Sequence, residues 1–422
     1  MEGVSPIMAS SVYVHVPFCA RKCAYCAFYS TAAEGELVHR YVEALAREIA
    51  SRPVPRERPL KTVFFGGGTP SLLSLRQWER VLDAAAAAGW LGAAEWTVEC
   101  NPATVSEDKA RLLRERGVNR ISMGVQSLDE GLLDRLGRVH SRDMVFRSFD
   151  VLRRAGFDNL NLDLMFGIPG QTMDHWRGTL REAIALGSEH LSCYEVIYEE
   201  DTALFDELKA GEFEVDEALN AEMFEALVAD SAAAGFRQYE VANFARDRTP
   251  APWAGLPADH PAVPSHACQH NLNYWLGGSY AALGPSASGY EGGRRYRNLS
   301  STAAYCEAVE RGALPREWSE ELPPLARAGE IAAFGLRMNA GWPWAAFEAA
   351  TGFDLRSEWQ GEMSALQQRG WGAIESDRFR LTPDGLRFAD AAGSEFLRGG
   401  DAEVRWERFA GKPRPVVGGV LS

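Results

Sequence analysis

From Ser11 to about Glu195, short apolar or β-branched runs recur, and each is followed by a longer stretch whose apolar positions return every three or four residues. The short runs predict strands, the longer period predicts helices, and their regular exchange predicts βα units around a parallel sheet. Six strands are expected, at Val12–Val16, Thr62–Phe65, Trp96–Glu99, Arg120–Met123, Leu160–Leu164 and Leu191–Val196, with helices such as Leu37–Ile49, Leu75–Ala88 and Met144–Arg154 between them. Six consecutive units predict an α/β fold that closes into a barrel or part of one.

Alternation along the strands separates an inner from an outer face. In Asn159-Leu160-Asn161-Leu162-Asp163-Leu164 the leucines share one side and the two asparagines and the aspartate share the other. Polar residues on the inner side predict a cavity instead of a dry core. The same count places Tyr13 and His15 on one face of the first strand, Glu99 at the carboxyl end of the third and Gln126 just past the fourth, where barrel folds keep their chemistry. Gly66-Gly67-Gly68-Thr69-Pro70 falls between the second strand and a helix opened by Ser74-Leu75-Arg76-Gln77, a capping-box pattern. No Lys-Ser or Lys-Thr follows, so the triglycine is not a phosphate loop; it predicts bare backbone close to a ligand.

A helix is expected from Asp216 to about Ala234, then one further strand at Tyr239–Phe244. Prolines 250, 252, 257, 261 and 264 next break any regular element, so residues 246–265 read as an exposed excursion. The glycines at 277, 278, 284, 289, 292 and 293 read as loops. Beyond Ser300, helices at Leu325–Leu336 and Leu355–Gln368, a hairpin around Ser376-Asp377 and a last helix at Gly385–Leu397 predict a smaller helical, winged-helix-like module. The expected organisation is 11–300 for the barrel, 301–400 for the module and 401–422 for a tail.

Length and composition narrow the function. The 422 residues, 46% of them hydrophobic, leave room for one large and one small core. A net charge of −14 speaks against a nucleic-acid partner, which needs clustered Lys and Arg. Met1–Ser10 has neither the charged start nor the apolar run of a signal peptide, and no apolar stretch is long enough to span a bilayer. A cytoplasmic location is therefore expected, in keeping with seven cysteines that form no disulfide framework.

Three of those cysteines carry the chemistry. Cys19, Cys23 and Cys26, spaced Cys-x3-Cys-x2-Cys after the first strand, sit too close together for disulfide pairing and read as metal thiolates. Three thiolates without a fourth nearby suit an iron-sulfur cluster with one iron left open. A zinc site completed by His15 or His39 is the alternative.

The cysteine spacing, with Tyr13–Pro17 before it and Tyr25 inside it, resembles the radical S-adenosylmethionine (SAM) superfamily and, within it, the coproporphyrinogen oxidase-like family. The likeness extends through GGGTP at 66–70, VECNP at 98–102, SMGVQS at 122–127, LGRVH at 136–140 and NLDLMFGIPGQT at 161–172. It implies a radical-SAM partial barrel, a HemN-type C-terminal domain, and a 4Fe-4S cluster held by Cys19, Cys23 and Cys26 whose open iron takes SAM. It assigns SAM binding to Tyr13, Gly67, Gly68, Thr69, Glu99, Gln126, Arg138 and Asp163, with Tyr25 also on the cofactor side. Two places separate branches of the family. The dehydrogenases carry another cysteine two residues after the third ligand, where this chain has Phe28, and His270-Asn271-x-x-Tyr274-Trp275 resembles the signature of the HemW branch of heme chaperones. That branch implies heme as a further ligand with His270 as its axial group, the other reading of His270 being a hydrogen-bonded histidine beside the barrel rim; it also implies His266 and Cys268 as alternative ligands, acceptor proteins for the heme and an electron donor. It leaves a homodimer open. Oxidative decarboxylation of coproporphyrinogen III is the alternative function, and radical-SAM modification of RNA is a third, disfavoured by the charge.

Overall fold

The computed structural model describes residues 7–55, 57–248 and 263–398. The expected tail and most of the proline-rich stretch 246–265 lie outside them. Nine strands form the main sheet: β1 Ser11–Val16, β2 Thr62–Gly67, β3 Glu95–Cys100, β4 Arg120–Gln126, β5 Leu160–Phe166, β6 His190–Glu195, β7 Arg237–Glu240, β8 Asn243–Ala245 and β9 Ala281–Leu283. Their order is β9-β1-β2-β3-β4-β5-β6-β8-β7. Every pairing from β9 to β6 is parallel, and β8 joins β6 and β7 antiparallel. The result is the expected radical-SAM α/β partial barrel.

The six strands read from alternation form within three residues of their expected ends. Leu160, Leu162 and Leu164 are fully buried against the helical layer, and Asn161 and Asp163 turn to the inside, where both are hydrogen-bonded. The helix Leu75–Ala87 starts at the expected capping box, with the Gln77 amide donating to Ser74 Oγ at 3.4 Å and the Ser74 amide to Gln77 Oε1 at 2.8 Å. It buries Trp78, Val81, Leu82 and Ala85 on one stripe.

Three expectations change. The strand expected at Tyr239–Phe244 is two strands, because the Glu240 carboxylate accepts from the Ala242 amide at 3.2 Å and from the Asn243 side chain, folding the chain back at Val241-Ala242. The glycine-rich region is not only loop: Ala281–Leu283 is a wholly buried edge strand, and Ser288–Glu291 and Arg294–Asn298 form a hairpin that Arg316–Glu321 extends. Gly284, at φ +90°, is what allows this, since a Cβ there would lie 2.4 Å from the His15 carbonyl. In the C-terminal module the expected long helices are broken, Leu355–Glu358 from Gln360–Gln368 at Trp359 and Pro383–Leu386 from Ala389–Ser394 at Phe388. Trp359 is drawn inward, its indole N–H donating to the Phe396 carbonyl at 2.8 Å.

The expected hairpin is present as Gly372–Ile374 with Arg378–Leu381, joined by Trp342–Pro343. Trp342, Phe347, Trp359, Phe379 and Phe396 form a core separate from that of the barrel. Not every residue after Ser300 shares it, because Tyr305, Cys306 and Val309 of the helix Thr302–Glu310 pack into the large core. Among the described residues no helix is long and apolar enough to cross a membrane.

Candidate cluster and cofactor site

The cysteine loop begins where β1 ends. Phe18–Cys19 pairs with Thr31–Ala32, closing a loop on which the Cys26 amide donates to the Cys23 carbonyl at 3.2 Å. The loop is anchored at its middle: the Ala24 amide donates to the Leu136 carbonyl at 3.0 Å and the Ala24 carbonyl accepts from the Leu204 amide at 2.9 Å. All three cysteines are half-buried free thiols, and burial pushes the Cys26 thiol up to about 11. A zinc site on the three cysteines would need a fourth ligand such as His15 or His39. His15 could not complete such a site, since its Nδ1 lies 3.1 Å from the Tyr13 hydroxyl and its Nε2 3.0 Å from the Tyr29 carbonyl. Three thiols on one anchored loop give a soft all-sulfur donor set, which suits iron-sulfur ligation.

The triglycine presses against the base of that loop. The Gly68 amide donates to the Val16 carbonyl at 2.8 Å and the Thr69 amide to the Phe18 carbonyl at 2.7 Å. A Cβ at Gly67, φ +105°, would fall 2.5 Å from the His15 ring, and one at Gly68 would fall 2.7 Å from the Phe18 carbonyl. The bare backbone expected for a ligand is thus also needed by the protein itself. Thr69 Oγ1 then lies 3.7 Å from Cys19 Sγ.

Arg138 ties β4 to the cysteines. Its guanidinium donates to the Gly124 carbonyl at 2.6 Å, to Cys23 Sγ at 3.4 Å and to the Tyr25 hydroxyl at 3.5 Å. Gln126 closes β4 at φ +66° in an irregularity of the β4–β5 register, a conformation non-glycine residues rarely hold and one that concentrates at binding sites. Glu99 Oε2 accepts from the Gly67 amide at 3.2 Å. Asp163 accepts from Ser122 Oγ at 3.1 Å and from Asn161 Nδ2 at 2.7 Å. Tyr13 stacks on Phe64 with centroids 6.2 Å apart. Cys19, Cys23, Tyr25, Gly67, Gly68, Thr69, Glu99, Gln126, Arg138 and Asp163 therefore meet at the carboxyl end of the strands, with Tyr13 below them. Together they offer carboxylates for hydroxyl or ammonium donors and a cation for a carboxylate, the set that SAM requires.

Burial, with the charge of Asp163 beside it, holds the Glu99 carboxyl up to about 8. Such a carboxyl binds a proton that the unfolded chain has already lost, so its ionisation lowers stability as pH rises from the ordinary carboxylate range to about 8. Glu99→Gln is accordingly expected to raise the denaturation midpoint of the ligand-free protein at pH 8 while weakening SAM binding by roughly tenfold, because an acceptor for SAM is lost. Calorimetric titration with SAM beside a denaturation curve checks both signs, and a parallel fall in stability and affinity would count against this role.

The structure does not bring His270 to this end. It lies against the amino ends of β2 and β3, 1% exposed, with Nδ1 2.7 Å from Thr62 Oγ1 and Nε2 2.7 Å from the Tyr274 hydroxyl. Its ring stacks on Phe64 at 5.1 Å, and burial lowers its pKa to about 3. The expected rim position is corrected: the helix Gln269–Trp275 closes the floor of the barrel, and the Glu95 carboxylate accepts the Gln269 and His270 amides at 2.9 and 3.0 Å. Cys268 is buried, its thiol 3.5 Å from Glu95, and the half-buried His266 has its Nδ1 3.2 Å from the Arg246 carbonyl. Trp275 packs with Leu272 and Met338 and offers no open face. His140 is buried with Nε2 3.1 Å from the Val125 carbonyl, bracing β4 beside Gln126. Cys100 and Cys193 are buried thiols.

Several interior residues escaped the sequence reading. Asn161 Oδ1 lies 2.6 Å from His190 Nδ1, and His190 Nε2 lies 2.8 Å from the Tyr239 hydroxyl, which accepts from the Cys268 amide at 3.1 Å. A continuous polar chain thus runs from Asp163 to the floor helix. Alternation would have turned Ser122 and His190 inward, but only tertiary contact reveals Tyr239 as their neighbour. Arg120 is also wholly buried in this interior, where the acidic groups Cys268, Glu95, Tyr239 and Asp163 favour its charge.

Comparison with known proteins adds a lineage to this geometry. The family model of the Radical SAM superfamily matches residues 13–183, and that of the HemN C-terminal domain matches residues 322–388. The chain is 34% identical over 391 residues to the heme chaperone HemW of Bacillus subtilis, covering 92% of this chain and 99% of that protein. It is 40% identical over 282 residues to the heme chaperone HemW of Escherichia coli, covering 66% and 69%. With the mitochondrial radical S-adenosyl methionine domain-containing protein 1 of Bos taurus it shares 32% identity over 403 residues, covering 90% and 86%. The solved coproporphyrinogen III oxidase (HemN) of Escherichia coli superposes with a TM-score of 0.75 at 20% identity, covering 93% of this chain and 90% of that one, which is a likeness of fold.

Proposed function

This chain belongs to the heme chaperone HemW family of the Radical SAM superfamily, and from that premise we propose that it binds heme and delivers it to acceptor proteins. The observation that carries the reading is identity of 34% along 99% of the Bacillus subtilis heme chaperone. The likeness to coproporphyrinogen III oxidase is one of fold, and the position of the extra cysteine of the dehydrogenases is filled here by Phe28.

Cys19, Cys23 and Cys26 hold the 4Fe-4S cluster. Glu99, Asp163 and Arg138 would orient SAM, with the glycine backbone at 67–68 and the Gln126 and Thr69 side chains beside it. When bound, the cluster supplies a single electron that can cleave SAM reductively. What the protein contributes is position: Arg138 fixes β4 to the cysteine loop through Gly124 and Cys23. An electron donor and heme acceptors are the implied partners, a homodimer is compatible with the reading, and free thiols at every described cysteine favour a reducing, cytoplasmic setting. As an axial heme ligand His270 would be available only after the floor helix leaves Thr62 and Glu95.

Titration of the anaerobically reconstituted protein with heme is expected to give a saturable Soret spectrum. Incubation with coproporphyrinogen III, SAM and reductant is expected to give no protoporphyrinogen. Turnover to protoporphyrinogen without retention of heme would replace the chaperone reading with the oxidase one.

A further inference from the structure

A recess of about 300 Å³ opens beside the cysteine loop, lined by Lys22, Phe28, Tyr29, Asp201, Ser286 and Arg297 among others. Its wall continues from the cluster loop itself, since the Phe28 backbone bonds to Cys26 and the Ser30 side chain to Cys19, while none of the residues grouped around SAM lines it. Two cations stand on its wall against one carboxylate, in a protein whose net charge is −14. A positive recess on so acidic a surface draws an anion to that one place. The cations are lightly engaged. Lys22 is exposed with no hydrogen bond or ion pair among the described residues, and Arg297 donates to Ser286 Oγ at 2.9 Å and approaches Glu317 only at 3.9 Å.

The rest of the wall is aromatic. Phe28 is 41% exposed, an apolar ring held out at the lip of the recess. Tyr29 is fixed beneath it, its hydroxyl accepting from the Thr302 amide at 2.9 Å and its carbonyl lying 3.0 Å from His15 Nε2. Two of the three described non-glycine residues with left-handed backbone, Asp201 at φ 67° and Ser286 at φ 60°, also line the recess. Each such conformation persists where surrounding structure imposes it, a feature that gathers at ligand sites.

A ring to lie on and two cations to reach suit an aromatic dicarboxylate. The recess is too small to enclose a porphyrin and large enough for its carboxylate edge. Resting on the heme reading above, we propose that this recess seats the propionate edge of heme, with Lys22 and Arg297 pairing to the two carboxylates and Phe28 supporting the macrocycle. Heme would then stand at the mouth of the barrel next to the cluster loop, at the opposite end from His270.

The test compares heme with its dimethyl ester, whose carboxylates are masked, by Soret titration of the reconstituted full-length protein. The native chain is expected to prefer heme by roughly tenfold or more, and the double variant Lys22→Gln/Arg297→Gln to bind the two within about twofold of one another. Iron content and SAM affinity, measured on the same samples, are expected to match the native chain. Asp201→Asn is expected to tighten heme and leave the diester unchanged, a gain that misfolding does not produce. Equal affinity of the native chain for heme and diester, or a preference that survives in the double variant, overturns the recess as the propionate site while leaving the heme reading intact. A native chain that binds neither porphyrin overturns the heme reading and this inference with it.

Discussion

Cys23→Ser is expected to yield a folded protein that retains almost no cluster, with iron after anaerobic reconstitution down by roughly tenfold or more. The protein provides only three thiolates, and a serine hydroxyl is too hard and too weakly acidic to stand in for one. The fold should survive, because the loop is held by backbone bonds from Ala24 to Leu136 and Leu204 and not by the thiols. The denaturation midpoint of the metal-free protein should therefore stay within a few degrees of the native chain, a surface-substitution range. Iron and sulfide analysis, with the low-temperature paramagnetic signal after reduction, reads the outcome. Full iron occupancy in this variant, or in the matching Cys19 and Cys26 variants, would mean that the metal is held elsewhere.

His270→Ala is expected to cost about 3 kcal/mol of stability, read as a lowered denaturation midpoint. The substitution strands two buried hydroxyls, Thr62 and Tyr274, and removes the ring that stacks on Phe64. A pH signature accompanies it. The native ring stays neutral down to about 3, whereas the unfolded ring protonates near 6.5, so the native chain loses stability as pH falls below 6.5. His15 and His140, each lowered to about 4 chiefly by burial, act in the same direction. The slope of stability against pH between 6.5 and 4 should thus be shallower in His270→Ala than in the native chain. Loss of heme binding with an unchanged midpoint and slope would instead make His270 a ligand and not an anchor.

Much of the cofactor site was legible before any coordinates. The alternation at Asn159–Leu164 identified the inner face, the carboxyl ends of the strands identified the mouth, and the cysteine spacing narrowed the chemistry to an iron-sulfur cluster or zinc, between which the family motifs chose. What misled was local: glycines between 277 and 293 read as loop because their composition lacks β-branched runs, yet Gly284 is there to let β9 lie against β1. The strand at 239–244 read as continuous because nothing in its residue types announces that the Glu240 side chain will bond the amide two residues on. In the module, Trp359 looked like one more apolar position on a helix stripe, and only its seat in the aromatic core breaks that helix.

The order of residues along the chain determined the βα architecture, the metal chemistry and the polar lining, because periodicity and ligand type are local properties that a one-dimensional string carries in full. Tertiary structure alone decided where the HNxxYW segment goes. Placing His270 on the floor of the barrel depends on Thr62 and Glu95, more than 170 residues away, and a contact across that distance is set by how strands close around one another and leaves no periodic mark in the sequence. The same holds for the recess beside the cluster loop, whose wall joins residues 22–30, 201, 286 and 297.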